Sequence, residues 1–576
     1  MKPRTFPRLL AALLAALLAA CAVTQQDATP GQSSPPPQTP AARIETVAPA
    51  VAKPTPYPAR AVTAPAPGSP ARMHEMKREI AADKLAYATM PAPVTYEILQ
   101  QQREDRERYG EIKDNPVKLV AEAPVSTFSI DVDTGSYSNV RRMLNAGRLP
   151  PADAVRVEEL INYFPYDYAL PRDGRPFAVH TEMAPAPWNH ERVLLRVAIK
   201  GQDIAKQDLP PANLVFLVDV SGSMNSADKL PLLKSSLKLL VNEMRAQDRI
   251  SLVTYADGTR IVLPPTSGAE KATINAAIDA LRSGGSTAGA SGIQLAYSAA
   301  QQSFIKSGIN RILLATDGDF NVGVSDDRQL KSMIEEKRKS GISLSTLGFG
   351  TGNYNERMME QIADVGDGAY SYIDSLMEGH KVLVNEMTST LATIAKDVKV
   401  QIEFNPAVVR EYRQIGYENR QLAREDFNND QVDAGDIGAG HTVTALYELT
   451  LAGARGSVDA LRYAPQASSD GAFASELGHL KLRYKQPEAS TSQLIDFALQ
   501  RSAIQPLDKA SSEFRFATAV AGFGQVLRGG KYTGSWKLGD ARELAATNIG
   551  KDRYGYRGEF LRLVDLAGAL ETKTVK

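Results

Sequence analysis

Cysteine is almost missing from this chain: one residue, Cys21, in 576. Every segment beyond it must be stable without disulfides, and none can offer a thiol nucleophile or a thiolate-bound zinc. An excess of charge of either sign is missing too. Lysine plus arginine number 66, aspartate plus glutamate 66, and the formal net charge is zero. That balance, with no basic stripe interleaved with aromatics, argues against a nucleic-acid partner. The 6 histidines do not cluster at ligand spacing. Neither a Gly-x-x-x-x-Gly-Lys loop nor a His-Glu-x-x-His helix occurs, so those signatures of phosphate and zinc chemistry are excluded. The expectation is a protein that is not an enzyme. Long hydrophobic runs are scarce as well, and Leu9 to Ala20 is too short to span a bilayer as a helix.

What that run does fit is a secretory signal, because Lys2, Arg4 and Arg8 precede it. It ends in Leu18-Ala19-Ala20-Cys21, which resembles a bacterial lipobox. The resemblance implies removal of residues 1–20 and acylation of Cys21, with several acyl chains giving stable membrane anchoring. Ala22 stands where an Asp would signal inner-membrane retention, which resembles outer-membrane sorting if the host has two membranes. The expected location is the cell envelope. Residues 21–70 are mainly Pro, Ala, Thr, Gln and Ser. They cannot build a core and are expected to form an extended tether of roughly 150 Å at most. Residues 71–123, charged and helix-favouring, are expected to form a helical lead-in.

The most telling stretch lies further on. Leu214-Val215-Phe216-Leu217-Val218-Asp219-Val220-Ser221-Gly222-Ser223 is an apolar run ending in Asp-x-Ser-x-Ser. It predicts a buried strand with one carboxylate and two hydroxyls at its end. Taken alone, such a turn is as well explained by side chains capping a helix. Two further segments add weight: the small-residue loop Gly284-Gly285-Ser286-Thr287-Ala288-Gly289, and a second apolar strand, Ile312-Leu313-Leu314-Ala315-Thr316-Asp317-Gly318-Asp319. Together they resemble the metal-ion-dependent adhesion site of von Willebrand factor A domains. The resemblance implies that Asp219, Ser221, Ser223, Thr287 and Asp317 hold a divalent ion, with Ser286 the alternative to Thr287. Asp319 is a candidate to support those ligands from behind. Hard oxygen donors suit Mg²⁺ first, with Mn²⁺ or Ca²⁺ as alternatives.

Strand–helix alternation across residues 205–395 predicts an α/β domain with a mostly parallel, Rossmann-like open sheet and helices on both faces. In such sheets ligands bind at the carboxyl ends of strands, where Asp219 and Asp317 fall. Residues 124–204 and 396–576 read differently, with antiparallel-style strands and helices. Thr127-Phe128-Ser129-Ile130-Asp131-Val132-Asp133-Thr134, Glu158 to Phe164, Ile415 to Arg420 and Asp433 to His441 resemble the flanking domains of bacterial A-domain lipoproteins. The A domain is expected to be inserted in this mixed β-sandwich-like and helical module. Strands are expected at Val398–Phe404, Glu411–Tyr417, Thr442–Leu451 and Leu480–Tyr484. Helices are expected at Leu376–Ala395, Ser492–Arg501, Ser511–Leu527 and Glu559–Ala567.

Two other acidic clusters fall short of known motifs. Asp131-x-Asp133 lacks the Thr two residues beyond the second Asp that an aspartyl-phosphate enzyme needs, since Gly135 stands there. Asp426-x-Asn428-x-Asp430 lacks the Gly and Glu of an EF-hand loop, having Gln431 and Ile437 instead. The expected function is therefore that of an envelope-anchored adhesion or scaffold protein. Its metal would receive an acidic side chain from a protein partner. A metal-assisted hydrolase, or a structural protein with a non-binding metal site, are the alternatives.

Overall fold

The computed structural model describes residues 107–286, 289–318, 327–459 and 473–574. The described chain opens without a helix. Residues 107–109 run extended, with the Arg108 amide donating to the Tyr354 carbonyl at 3.0 Å. The helical lead-in is therefore not found over 107–123; the rest of it lies outside the described residues. Short strands β1 (Lys118–Leu119) and β2 (Val125–Ser129) follow. Helices α1 (Gly135–Asn145) and α2 (Val157–Asn162) and the long hairpin β3 (Phe177–Ala186) and β4 (Asn189–Gly201) complete this part.

The chain then enters a six-stranded sheet. β5 (Ala212–Asp219) is buried at every position, as expected of an apolar strand covered on both faces. After it come α3 (Leu230–Glu243), β6 (Arg249–Tyr255), β7 (Thr259–Ser267), α4 (Lys271–Ala280), α5 (Gly289–Gln302) and β8 (Ile309–Thr316). α6 (Asp327–Arg338), β9 (Ser343–Phe349), α7 (Glu356–Val365) and β10 (Tyr370–Ile373) finish the layer. The strand order is β10-β9-β8-β5-β6-β7, parallel except for the edge strand β7. Alternate side chains of β5 feed two cores. Leu214, Phe216 and Val218 pack with Leu233 and Leu237 of α3 and Ile274 and Ile278 of α4. Val215 and Leu217 pack with Ile293 of α5, Ile334 of α6 and Ile362 of α7.

The expected single helix Leu376–Ala395 is broken. It is replaced by α8 (Leu376–His380), a wide π-type turn at Lys381–Asn385, and α9 (Met387–Leu391), and a strand already begins at Thr393. The Glu386 amide donates to the Lys381 carbonyl five residues back, at 2.9 Å. The same spacing brings the Glu386 carboxylate 2.8 Å from the buried Lys381 ammonium, which a regular helix would leave without that partner.

The closing part contributes β11 (Thr393–Phe404), β12 (Val409–Ile415), β13 (Ile437–Gly438), β14 (Thr442–Leu451), β15 (Glu476–Lys485) and β16 (Ser492–Gln500). It ends in α10 (Ser512–Leu527), α11 (Leu538–Ala546) and α12 (Tyr556–Thr574). β16 corrects the helix expected at Ser492–Arg501. Its buried residues Ile495 and Leu499 are four apart, a spacing that suits one face of a strand as well as one face of a helix. It pairs antiparallel with β15 from Ser492 to Gln500.

Strands from before and after the A domain share sheets. One has the order β1-β12-β14-β4-β3, and in the other β2 joins β11 beside β13, β15 and β16. Val193, Leu195, Val197 and Ile199 of β4 point into the sandwich between them. Leu194 and Ala198 point the other way, into a core shared with α1, α2 and α10 to α12. The A domain is thus inserted in a sandwich-and-helix module, as expected. Its seam with that module is ionic. Arg141 of α1 binds Asp374 and Glu378, Arg156 binds Glu356 and Glu360, and Arg420 binds Asp364.

Candidate metal-binding site

The carboxyl end of β5 lies beside β6, with Asp219 opposite Tyr255 in the parallel register. Beyond Asp219 the chain turns sharply and is stitched to its neighbours. The Val220 amide donates to the Tyr255 carbonyl at 3.0 Å, Gly284 to Val220 at 2.8 Å, and Gly222 to Gly285 at 2.9 Å. Gly285 adopts φ +82°, and a Cβ there would fall on the Asp257 carboxylate. These bonds press the Ser221–Ser223 turn and the 284–286 loop together at one mouth.

Asp219 is fully buried. Its Oδ1 accepts the Ser221 amide at 2.8 Å, an Asx-type turn. Its Oδ2 accepts from Thr316 Oγ1 at 2.8 Å and from the Tyr255 hydroxyl at 3.3 Å. All of these donors are neutral. Burial pushes the Asp219 carboxyl up to about 6, with the nearby charge of Asp317 adding to the rise and the hydrogen bonds of Ser221 and Thr316 opposing it. The Ser221 and Ser223 hydroxyls stand 3.1 Å apart. Asp317, also fully buried, follows Thr316 at the end of β8. Its Oδ2 accepts from Lys229 Nζ at 2.9 Å and from Asn353 Nδ2 at 3.2 Å.

Asp219, Ser221, Ser223 and Asp317 thus share the carboxyl end of adjacent strands. Thr287, Asp319 and Cys21 lie outside the described residues. Ser286 is turned to Asp257, which accepts from its amide at 2.6 Å and its hydroxyl at 3.0 Å. Four participants were not anticipated: Tyr255, Thr316, Lys229 and Asn353. Tyr255 and Thr316 carry a usable signal, since each ends a strand adjoining Asp219. Lys229 and Asn353 carry none in a single sequence.

The donor chemistry fits a hard divalent cation. Among the described residues, two buried carboxylates and one buried ammonium sum to −1, and two neutral hydroxyls stand at the mouth. Among the described residues no group of three or more His, Cys, Asp or Glu side chains is arranged to hold a metal. An ion here would therefore depend on the hydroxyls.

Comparison with known proteins bears on the same segments. Residues 213–386 match the von Willebrand factor type A domain model, 103–196 a von Willebrand factor model, and 389–570 the model of the YfbK C-terminal region. The Synechocystis protein sll0103 is 28% identical over 263 residues, covering 44% of this chain and 60% of its own. A solved von Willebrand factor type A protein from Catenulispora acidiphila aligns over 68% of this chain and 91% of its own. Its TM-score is 0.39 and its identity 16%. The Escherichia coli K12 protein YfbK is 56% identical over 471 residues, which is 80% of this chain and 81% of that one. This chain therefore belongs to the YfbK family of bacterial proteins, built around a von Willebrand factor type A domain.

Proposed function

We propose that this protein is a lipid-anchored envelope protein whose A domain captures a protein partner through a divalent metal ion. The observation that carries the reading is Asp219, a fully buried carboxylate with only neutral partners among the described residues. Burying a carboxylate without a counter-charge costs free energy, and a cation at that mouth removes the cost. Asp219, Ser221 and Ser223 would hold the ion, with Asp317 and, by family likeness, Thr287. A bound ion would supply a Lewis-acidic anchor for an incoming carboxylate. The protein's own part is to fix the ligands. Thr316 and Tyr255 hold Asp219 from behind, and the Gly284–Ser286 loop pins the serine turn.

Anchoring rests on the Leu18-Ala19-Ala20-Cys21 sequence and on the Pro-rich stretch after it, which would set the A domain away from the membrane. The test is partner capture from envelope extracts by the full chain, with Mg²⁺ or with chelator. A partner retained in Mg²⁺, and released by chelator and by Asp219→Ala, supports the reading. A partner held equally in all three cases argues for metal-independent scaffolding.

A further inference from the structure

The two carboxylates of the site are treated differently by the fold. Asp219 has neutral partners, whereas Asp317 has a fixed cation. Lys229, the residue preceding α3, sends its side chain inward with 7% of it exposed. Its Nζ donates to Asp317 Oδ2 at 2.9 Å and to Asn353 Oδ1 at 2.9 Å. The aliphatic stem crosses Gly350, at φ +76°, where any Cβ would collide with it. Asn353 in turn donates to the same Asp317 oxygen at 3.2 Å. The ammonium is thus built in, held by a carboxylate, an amide and a passage only glycine leaves open.

Resting on the metal-site reading above, we propose that Lys229 is an internal counter-cation of that site. Its effect is that a divalent ion binds weakly alone and firmly only together with a carboxylate-bearing ligand. Among the described residues, the two buried aspartates carry −2 and the buried Lys229 brings that sum to −1. A divalent ion then leaves the pocket at +1, and an external carboxylate restores neutrality. Without Lys229 the ion alone would be neutralised by the protein, and a further carboxylate would overshoot. In a buried site one unit of charge weighs heavily, because little water screens it. Neighbouring unit charges move proton binding by about one to three powers of ten, and a divalent ion should respond at least as strongly. Coupling is reciprocal, so the same charge that makes the ligand tighten the ion makes the ion tighten the ligand.

The test uses the full chain, with free Mn²⁺ read by electron paramagnetic resonance in chloride or in acetate at equal ionic strength. Acetate stands in for the partner's carboxylate. For the wild type, acetate is expected to tighten Mn²⁺ binding by about fivefold. Lys229→Met is expected to bind Mn²⁺ alone about tenfold more tightly than wild type, with the acetate effect gone. Lys229→Gln repeats the measurement if the Met variant does not fold, and the acetate arm on wild type needs no variant. Asp219→Ala should bind in neither buffer. Mn²⁺ binding by wild type that ignores acetate, or is unchanged by loss of the Lys229 charge, overturns this inference and leaves the metal site standing. No Mn²⁺ binding by wild type overturns the metal site, and the inference with it.

Discussion

Arg156 and Glu356 are 200 residues apart in the chain and 2.9 Å apart in space. The pair crosses the seam between the flanking module and the A domain. Arg156 also reaches Glu360 at 2.8 Å and Glu159 at 3.3 Å, and all four residues are buried. One guanidinium therefore faces three carboxyl groups. Removing one partner of a buried ion pair costs about 3–5 kcal/mol, because the stranded charge keeps its desolvation penalty. Arg156→Met should destabilise the chain by that order in urea titration. Adding Glu356→Gln and Glu360→Gln to it should return much of the loss. A midpoint unmoved by Arg156→Met would show that the seam does not contribute to stability.

The same seam holds more acid than base, and pH should reveal it. Burial pushes the Glu360 carboxyl from its ordinary 4.5 up to about 8, despite Arg156 beside it. Within the flanking module itself, Glu418 rises to about 7, through burial and the charge of Glu158. Burial also pushes Asp436 up to about 7. Each raised group keeps a proton in the folded state that the unfolded chain releases. Its stabilising effect is fully present below the unfolded value and is lost as pH rises through the folded one. These groups should lower stability between about pH 5 and 8, by up to about 1.4 kcal/mol per pH unit each, and the buried His441, held down at about 4, opposes them below about pH 6.5. Glu360→Gln should flatten the slope of urea midpoint against pH. An identical slope in the variant would count against this account.

Divalent metal should stabilise the fold. A ligand bound only by the native state adds RT ln(1 + [L]/Kd), about 2.7 kcal/mol at a hundredfold excess over Kd. Mg²⁺ or Mn²⁺ should raise the melting temperature, and Asp219→Ala should abolish the rise. An unchanged metal response in that variant would remove Asp219 from the site.

Cys21 should decide location. With Cys21→Ser the precursor should stay unprocessed by lipoprotein signal peptidase and take up no fatty acid. Metabolic labelling with radioactive fatty acid checks this, and equal label in the two proteins rules the anchor out.

Insertion of the A domain has a folding consequence. β2 pairs with β11 and β4 with β14, so neither flank owns a complete sheet. Residues 205–395 expressed alone should fold and bind metal, since the seam carboxylates they keep lose their arginine partners but can be hydrated instead. Residues 120–200 alone should be largely unfolded and gain structure with 396–576. A cooperative melt of 120–200 by itself would contradict this.

β5 and β8 were legible because strands buried on both faces are continuous apolar runs, and in the flanking module β14 falls on its expected limits. β10 was not anticipated. Tyr370-Ser371-Tyr372-Ile373 is short, and it is a strand only because β9 lies beside it. β16 was mistaken for a helix because its two buried residues satisfy both periods. The candidate site was legible in Asp219 and Asp317, acidic residues that stand where the apolar runs of β5 and β8 stop. Lys229 was not, because nothing local marks a lysine that a distant glycine admits to the interior.

Trp188 Nε1 donates to Glu448 at 2.7 Å across 260 residues of chain. β4, which starts one residue beyond Trp188, pairs with β3 on one side and the late β14 on the other. At about 5–20 residues per second on the ribosome, its missing partner arrives roughly 10–50 s after it does. During that interval the early hairpin presents a bare edge, while the A domain between the two halves already has all of its own strands. Any chaperone that attends this chain during synthesis would therefore have to shield the first strands made, and release them only once the last are delivered.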